Sequence, residues 1–167
     1  MSQAVSQTRF RVFIENEAGS TIKNHHDEKA LKLLFIEEVS RPYPYPYGFV
    51  LNTTSGDGDN VDCFVLTDRA LATGETLEVV PVGFLEQYVS EPGSESHEVD
   101  HQVDHNVLAV PVGEEPTLDP SVEPKLQEFI AHVFDHVEDK TLSTGELLGP
   151  QAAIDFVNAS LDQSEST

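Results

Sequence analysis

The sequence predicts an α+β domain in which about five short strands come first and two helices come last. Apolar residues alternate or form strand-length runs over the first two thirds of the chain. The period then becomes helical in "PSVEPKLQEFIAHVFDHVEDK". The length of 167 residues suits one domain around one core, residues 1–167, with residues 8–162 ordered and flexible termini. A small sheet of this kind protects its edges by closing, so we expect a small closed barrel.

Each predicted strand is marked by its apolar pattern. In the first, Phe10, Val12 and Ile14 alternate with Arg11, Phe13 and Glu15. The others are runs of strand length: "LKLLFIEEV" (31–39), "VDCFVL" (61–66), "ETLEVVPVGFL" (75–85) and "NVLAVPV" (106–112). Pro81 cannot donate a ladder hydrogen bond, so it predicts a sheet edge or a bulge in the fourth strand.

The late helical stripe consists of seven apolar residues: Val122, Leu126, Phe129, Ile130, Val133, Phe134 and Val137. A second helix is predicted from about Gln151 to Leu161. Between the two helices, "TLSTGELLGP" is interpreted as a turn-rich connection. The tail "DQSEST" is expected to be disordered.

The net charge of the chain excludes some classes of binding partner. The chain has 30 acidic and 9 basic residues, a formal net charge of −21. Such a surface repels nucleic acid and anionic membranes, and it suits high salt, which indicates a halophilic source. No stretch approaches the roughly 20 apolar residues of a membrane span, and the N-terminus lacks the apolar core of a signal peptide, so we expect a cytoplasmic protein. The only cysteine, Cys63, is predicted to be a small buried hydrophobe.

Three carboxylates precede the third predicted strand in "SGDGDNVDCFVL": Asp57, Asp59 and Asp62. The intervening glycines let the backbone bend, so that the three side chains can converge. Convergent carboxylates repel unless a cation lies between them, and hard oxygen ligands favour Mg²⁺, Mn²⁺ or Ca²⁺ over Zn²⁺. The spacing of the later positions excludes an EF-hand loop. An acidic surface turn remains the alternative interpretation of these three residues.

The segments "YPYPYGFVLNTTSGDGDNVDCFVL", "GETLEVVPVGFL" and "DHNVLAVP" occur in this order. In content, order and spacing they resemble the family I soluble inorganic pyrophosphatases. The resemblance extends from about Phe10 through the last helices. It implies a five-stranded OB-like β-barrel with two C-terminal flanking helices and a site at the barrel mouth. It also implies a homo-oligomer that hydrolyses pyrophosphate to two phosphates with several divalent ions, usually Mg²⁺, with Mn²⁺ as the other option.

The resemblance assigns roles to the acidic residues. It implies that Asp57 and Asp62 are metal ligands, and that Asp59 helps to deprotonate the attacking water. Asp104, just before "VLAVP", matches a further metal ligand. Another ligand of the family falls in the insertion-like segment upstream, where Asp100 is the choice and Glu98 the alternative.

Three residues outside the aspartate motif also match site positions of the family. Glu15, in "FIEN", matches an outer acidic residue of the metal site. Lys23 matches a phosphate-binding lysine, and Tyr47 matches a tyrosine whose hydroxyl bonds phosphate. The alternatives are a solvated strand edge for Glu15 and Lys23 and a core aromatic for Tyr47.

The sequence departs from the family at its cationic contacts. Asn106 stands where the family has a lysine, and Val137 with Glu138 where it has a Tyr-Lys pair. The family arginine has no aligned equivalent, although Arg41 or Lys140 could substitute in space. Fewer cations should weaken the grip on a polyanion. Three hypotheses therefore stay open: a slow, divergent pyrophosphatase, an impaired metal- or phosphate-binding protein of this fold, and a phosphohydrolase for another compound.

The histidines suggest a competing site. In "HEVDHQVDH" three of them, at a spacing of four, alternate with acids and could bind a transition metal from one face of a helix: His97, His101 and His105. A solvated polar loop is the alternative. His25 and His26, near Lys23, could contact phosphate in place of a cation. His132 and His136 are interpreted as helix surface or satisfied core residues.

Overall fold

The computed structural model describes residues 8–54, 60–90, 102–103, 105–137 and 140–162. Its elements, in chain order, are β1 (Phe10–Asn16), β2 (Ile22–Asp27), β3 (Lys32–Glu38), β4 (Tyr47–Val50), β5 (Val61–Val65), β6 (Thr76–Ser90), β7 (Gln102–Val103), β8 (Asn106–Pro111), α1 (Val122–His132), β9 (Thr141–Leu148) and α2 (Pro150–Ser160). The predicted flexible termini, residues 1–7 and 163–167, lie outside the described residues.

Five strands close into a ring. Strand β1 pairs antiparallel with both β4 and β6. Strand β5 pairs antiparallel with β4 and parallel with β8, which in turn pairs antiparallel with β6. The path β1, β4, β5, β8, β6 therefore returns to β1. Strands β7 and β9 pair with the far half of β6, and β2 with β3 forms a separate hairpin. The predicted α+β fold around a small, closed sheet is confirmed.

The alternation of side chains along the ring strands separates two apolar clusters. One contains residues from all five ring strands, among them Val12, Val50, Cys63, Val79 and Val107, so it lies inside the ring. Helix α2 packs against this cluster. The other cluster lies on the outer face, where α1 covers β5, β6 and β8. Cys63 is fully buried, as predicted.

The prediction for Pro81 is also confirmed, as a bulge. The register of β6 with β8 shifts between Pro81 and Gly83. On its other side, β6 pairs with β1 only as far as Val79 and with β9 only from Phe84 onward. The proline therefore falls in the gap between two partner strands, where its missing N–H group removes no ladder bond.

Three elements differ from the sequence prediction. The segment "TLSTGELLGP" is not a turn-rich connection, because Thr141–Leu148 forms β9 on the edge of β6. Helix α1 ends at His132, so the last residues of the predicted stripe lie in turns beyond it. The apolar run of β3 is a strand, as predicted, but its side chains are exposed. Strands β2, β4 and β7 were not predicted from the sequence.

None of the helices in the described part of the chain has the length and apolar character to cross a bilayer.

Candidate functional site

Asp62 is the second residue of β5 and lies on the outer face of the ring. Its neighbours Val61 and Cys63 point into the interior cluster, so alternation turns Asp62 outward. Across the sheet, its Cα partners are Phe49 on β4 and Asn106 on β8. The closed ring thus holds the last carboxylate of the aspartate motif at a fixed position.

Asp62 is one of several charged residues that act on the pKa of the buried Tyr43. Tyr43 is 4% exposed, and burial raises the pKa of its hydroxyl above the ordinary value. Smaller effects on this pKa come from the cation of Lys23, which lowers it, and from three carboxylates, which raise it: Glu15, Asp62 and Glu37. Three residues predicted for the site, Glu15, Lys23 and Asp62, therefore lie within electrostatic range of one buried tyrosine.

Glu15 is buried against the hairpin. Only 5% of its side chain is exposed, and its Oε2 accepts hydrogen bonds from the backbone N–H of His26 at 3.2 Å. The same oxygen lies 3.2 Å from Nδ1 of His26, whose side chain is 6% exposed and packs edge-on against Phe13. A solvated strand edge, the alternative for Glu15, does not match this burial. The carboxylate instead joins β1 to β2.

Lys23 and Tyr47 lie together on the outer face. Lys23 Nζ is 5.3 Å from the centroid of the Tyr47 ring, a cation–π contact. The Tyr47 ring in turn packs against Phe64 at 4.8 Å and against Tyr43 at 5.5 Å, and Tyr43 contacts Phe129 of α1. Tyr47 is half-buried, so the ring is packed while the residue keeps access to solvent. Helix α1 therefore packs against the aromatic rings that contact Lys23.

A second carboxylate, Glu37 on β3, is held between two histidines. Its Oε1 lies 2.9 Å from Nε2 of His25, and its Oε2 lies 3.2 Å from Nε2 of His136. Burial alone would raise the pKa of Glu37, but the hydrogen bonds and charges of the two histidines hold it below its ordinary value. Ser40 completes the contact by bonding both Nδ1 and the backbone N–H of His136. This cluster fastens the hairpin to the turn after α1.

The turn of the hairpin brackets the segment that carries the first two motif aspartates. Lys29 Nζ donates to Thr53 O at 2.7 Å and to Thr54 Oγ1 at 2.9 Å, just before residue 55. The backbone N–H of Asn60 donates to Glu28 Oε1 at 2.9 Å, just after residue 59. Both ends of this segment are therefore anchored beside the hairpin.

Several predicted site residues cannot be placed. Four of the predicted acids, together with the alternative Glu98 and the departure at Glu138, lie outside the described residues: Asp57, Asp59, Asp100 and Asp104. Within the described ranges, no three or more histidine, cysteine, aspartate or glutamate side chains are arranged to hold a metal ion. Asp62 and Glu15 are the predicted metal ligands whose positions are known.

Arg41 and Lys140, the two residues considered as replacement cations, contact residues in α1 or just after it. Arg41 Nε is 4.0 Å from Glu128 on α1, and its Nη1 donates to Ser40 O. Lys140 Nζ lies 3.9 Å from the centroid of the Phe134 ring. These contacts direct both side chains toward the region around α1.

Asn106, which replaces the family lysine, is 1% exposed. Its Nδ2 donates to Gln87 Oε1 at 2.6 Å, so the amide is satisfied inside the protein. Because Asn106 is the Cα partner of Asp62 in the parallel pair, its side chain lies beside that carboxylate. A neutral amide pair therefore occupies a position next to the site.

The predictions made for the histidines are confirmed in part. His97 and His101 lie outside the described residues, but Gln102–Val103 between His101 and His105 is a strand, so the helix assumed for that cluster is wrong there. His105 Nδ1 accepts from the backbone N–H of Gln87, and its ring packs against Phe84. His132 lies at the end of α1, as interpreted, whereas His136 lies in the turn beyond it.

Tyr43 was not predicted as a member of this site, and His26, predicted as a possible phosphate contact, is instead the partner of Glu15. Tyr43 stands in the quoted "YPYPYG" segment, but nothing in its spacing distinguishes it from the neighbouring tyrosines. The partner of His26 is on another strand, and β2 itself was not predicted.

Comparisons with known proteins agree with the fold. The family model described as "Inorganic pyrophosphatase" matches residues 12–164. Curated inorganic pyrophosphatases from Nanoarchaeum equitans and Saccharolobus solfataricus are each 38% identical to this chain, over 44% of its length. The matched segments cover 46% and 44% of those relatives, less than half of each.

Two solved structures cover the chain more fully. One, titled as an inorganic phosphatase from Anaplasma phagocytophilum, has a TM-score of 0.78 at 27% identity and covers 91% of both chains. The inorganic pyrophosphatase of Helicobacter pylori has a TM-score of 0.78 at 25% identity and covers 96% of both chains. Since the family model matches almost the whole sequence, this chain belongs to the inorganic pyrophosphatase family.

Proposed function

We propose that the chain is an inorganic diphosphatase that hydrolyses pyrophosphate to two phosphates with Mg²⁺, or alternatively Mn²⁺, as cofactor. The single observation that carries the proposal is that the cation of Lys23 and the carboxylates of Glu15 and Asp62 all act on the pKa of one buried tyrosine, Tyr43. Carboxylates beside a cation form the combination needed to hold both divalent metal and phosphate. Family membership supports the same activity.

The donor chemistry fits a hard divalent cation, because Asp62 and Glu15 are carboxylates and such cations prefer oxygen ligands. Asp62 is the proposed ligand whose position is known, and Asp57 and Asp104 join it in the proposal. Asp100, or Glu98 in its place, completes the set of inner ligands. When bound, the metal supplies neutralising charge for the phosphoryl oxygens and makes a water molecule more acidic. Glu15, which already bonds His26, is assigned an outer position in the metal site.

The protein's own residues have separate roles in this proposal. Asp59 accepts the proton of the attacking water. Lys23 and Tyr47 hold a phosphate group, and their cation–π contact keeps the ammonium over the ring. Arg41 stays a proposed second cation, although its described contacts are with α1. With a neutral amide at Asn106, substrate binding is weaker than a fully cationic site would provide, so the enzyme is divergent and slow.

The wider setting follows from charge and from the family. We propose a single-domain cytoplasmic protein that forms a homo-oligomer and works at high salt. The net charge of −21 supports the salt requirement, because ions screen the repulsion among surface carboxylates. It also argues against nucleic acid and anionic membranes as partners.

The experiment measures phosphate release from pyrophosphate with Mg²⁺ or Mn²⁺ in molar KCl. Asp59→Asn should lower hydrolysis by roughly 10² to 10⁴-fold while keeping metal binding. Asp62→Asn should remove most of the rise in melting temperature that metal produces in the wild type. Asp68→Asn is the matched control, because Asp68 is exposed on the loop after β5, and it should change neither result.

One observation favours a second candidate, a phosphohydrolase for another compound. The neutral pair of Asn106 and Gln87 lies next to Asp62, where a second charged phosphate would otherwise be gripped. A panel of nucleotides and phosphomonoesters, assayed beside pyrophosphate, distinguishes the two activities. If no phosphate is released from any compound while metal still raises the melting temperature, the chain is an impaired binding protein.

A further inference from the structure

The turn between β2 and β3 is held by its own aspartate. Asp27 Oδ1 accepts hydrogen bonds from the backbone N–H of Lys29 at 3.1 Å and of Ala30 at 3.0 Å. The carbonyl oxygen of Asp27 accepts a third bond from Leu31 N–H at 2.7 Å. An aspartate that bonds the backbone two residues further on is a common way to close a tight turn. The backbone that carries Glu28 and Lys29 is therefore fixed before their side chains make any contact outside the hairpin.

Lys29 holds the chain just before residue 55. Its ammonium group has three protons to donate. Nζ lies 2.7 Å from Thr53 O, 2.9 Å from Thr54 Oγ1 and 3.5 Å from Asp162 Oδ2. One side chain of the hairpin turn thus joins the entry of the aspartate segment to the chain that follows α2.

The chain after α2 holds the same entry point from the other side. The backbone N–H of Thr54 donates to Ser160 O at 2.7 Å, and its hydroxyl donates to Asp162 Oδ1. The backbone N–H of Asp162 donates to Asn52 O at 2.9 Å. Lys29 therefore contacts a part of the chain that is already attached to the body of the protein.

Glu28 holds the chain just after residue 59. Its Oε1 accepts the backbone N–H of Asn60 at 2.9 Å, and its carbonyl oxygen accepts Nδ2 of the same residue at 3.4 Å. The next residue, Val61, donates its backbone N–H to Thr53 Oγ1 at 2.9 Å, which ties the two ends of the segment to each other. Asp62 follows directly, so the contact of Glu28 lies two residues from a proposed metal ligand.

We propose that Glu28 and Lys29 are positioning residues of the metal site. By fixing both ends of the segment 55–59, they restrict how its carboxylates approach Asp62. The inference rests on the proposed function, which assigns Asp57 and Asp62 as metal ligands. Ligands that are held in place before the metal arrives bind it more tightly, because less ordering has to occur on binding. Groups that orient metal ligands without touching the metal typically change affinity by roughly 10- to 100-fold.

The charges of the two residues separate positioning from simple electrostatics. The ammonium of Lys29 repels a divalent cation, so the loss of its charge alone would tighten metal binding. Loss of its hydrogen bonds to Thr53 and Thr54 should weaken metal binding instead. Glu28 attracts the cation, so Glu28→Gln would weaken binding through charge alone. Glutamine, however, keeps an oxygen that accepts the N–H of Asn60, so positioning predicts unchanged binding.

The test is a titration of the metal-free full chain with Mn²⁺ in molar KCl, in which electron paramagnetic resonance measures the free ion. Lys29→Met and Glu28→Ala should each raise the Mn²⁺ dissociation constant by about tenfold. Lys29→Arg, which keeps donors for the same oxygens, and Glu28→Gln should both stay close to the wild-type value. Lys32→Met is the matched control, because it removes the same charge from an exposed position at the start of β3. It should not weaken binding.

A second measurement examines the contacts without metal. In EDTA, amide hydrogen exchange followed by NMR should be faster than in the wild type at Thr54 in Lys29→Met and at Asn60 in Glu28→Ala. The midpoint of urea unfolding should hardly move in Lys29→Met, because half-exposed ion pairs contribute little to global stability. A role in stability alone would shift this midpoint and leave the affinity for Mn²⁺ unchanged.

Three results would overturn the inference and leave the proposed function in place. They are an unchanged Mn²⁺ affinity in Lys29→Met and Glu28→Ala, tighter binding by Lys29→Met, and unchanged amide exchange at Thr54 and Asn60. A different result counts against the proposed function itself. If Asp62→Asn binds Mn²⁺ as the wild type does, the proposed metal site is wrong, and the positioning role is wrong with it.

Discussion

Replacing Glu15 with glutamine should destabilise the protein even when no metal is present. The carboxylate is 5% exposed and accepts two hydrogen bonds through Oε2, from the backbone N–H and from Nδ1 of His26, both at 3.2 Å. If the residue served only as an outer metal-site carboxylate, its neutralisation would cost nothing without metal. The structure instead makes it the link between β1 and the hairpin.

The magnitude follows from these two bonds. Hydrogen bonds to a charged acceptor contribute about 1 kcal/mol more than neutral ones, so two bonds give about 2 kcal/mol. Part of this loss in free energy is offset, because burying an amide costs less free energy than burying a carboxylate. We therefore expect Glu15→Gln to lower the free energy of unfolding by about 1–2 kcal/mol. For a chain of this size the melting temperature should fall by about 2–8 °C.

The assay is urea unfolding in molar KCl with EDTA. Glu17→Gln is the matched control, because Glu17 lies on the same segment and accepts one exposed bond from Thr73 N at 3.1 Å. It should change the free energy of unfolding by less than about 0.5 kcal/mol. A double-mutant cycle of Glu15→Gln with His26→Leu should give a coupling energy of about 1 kcal/mol. A loss no larger than that of Glu17→Gln would refute this reasoning.

Three further predictions concern other parts of the structure. The pKa of Glu37 is lowered in the folded state, so the ionised carboxylate stabilises the fold above the ordinary glutamate pKa. This stabilisation is lost as the pH falls through the folded pKa. In urea unfolding from about pH 6 to pH 3, the free energy of unfolding should therefore fall less in His136→Gln than in the wild type. Gly48→Ala should abolish folding, judged by circular dichroism, because its Cβ would lie 1.8 Å from a carbonyl oxygen of β1, whereas Gly149→Ala meets nothing within 4 Å and should fold. Asn106→Lys should lower KM for pyrophosphate with little change in kcat, and Asn106→Met, of similar length without charge, should not.

Much of the ring could be predicted from local patterns because its strands are buried on at least one face. Strand β8 is buried at every position, and the run "NVLAVPV" shows this directly. Strand β9 could not be predicted in this way. Its glycine, Gly145, suggests a turn, but an added Cβ would lie 2.6 Å from the carboxylate of Glu86 and 2.9 Å from the ring of Tyr88. The residue is glycine because two strands approach closely, and only the pairing reveals that.

Some residues of the site could likewise be predicted from the sequence, and others could not. The resemblance indicated Glu15, Lys23 and Asp62 one at a time, and in the structure the charges of all three act on the pKa of Tyr43. The role of His26 depends on how the hairpin lies across β1, which is a long-range contact with no local sequence pattern. The burial of Asn106 likewise results from strand pairing, because a polar residue at the start of a strand is expected from sequence to be exposed.

The charges around Tyr43 impose an order on binding. Three carboxylates and one ammonium act on the pKa of its hydroxyl, so carboxylates outnumber the cation among these four groups. Next to Asp62, the amide of Asn106 donates to Gln87 and contributes no net charge. A pyrophosphate approaching this surface would meet like charge in a half-buried place, where screening by water is weaker than in bulk solvent. A divalent cation meets attraction in the same place. For the proposed activity we therefore predict that metal binds before pyrophosphate, and that the measured affinity for pyrophosphate rises steeply with the concentration of free Mg²⁺.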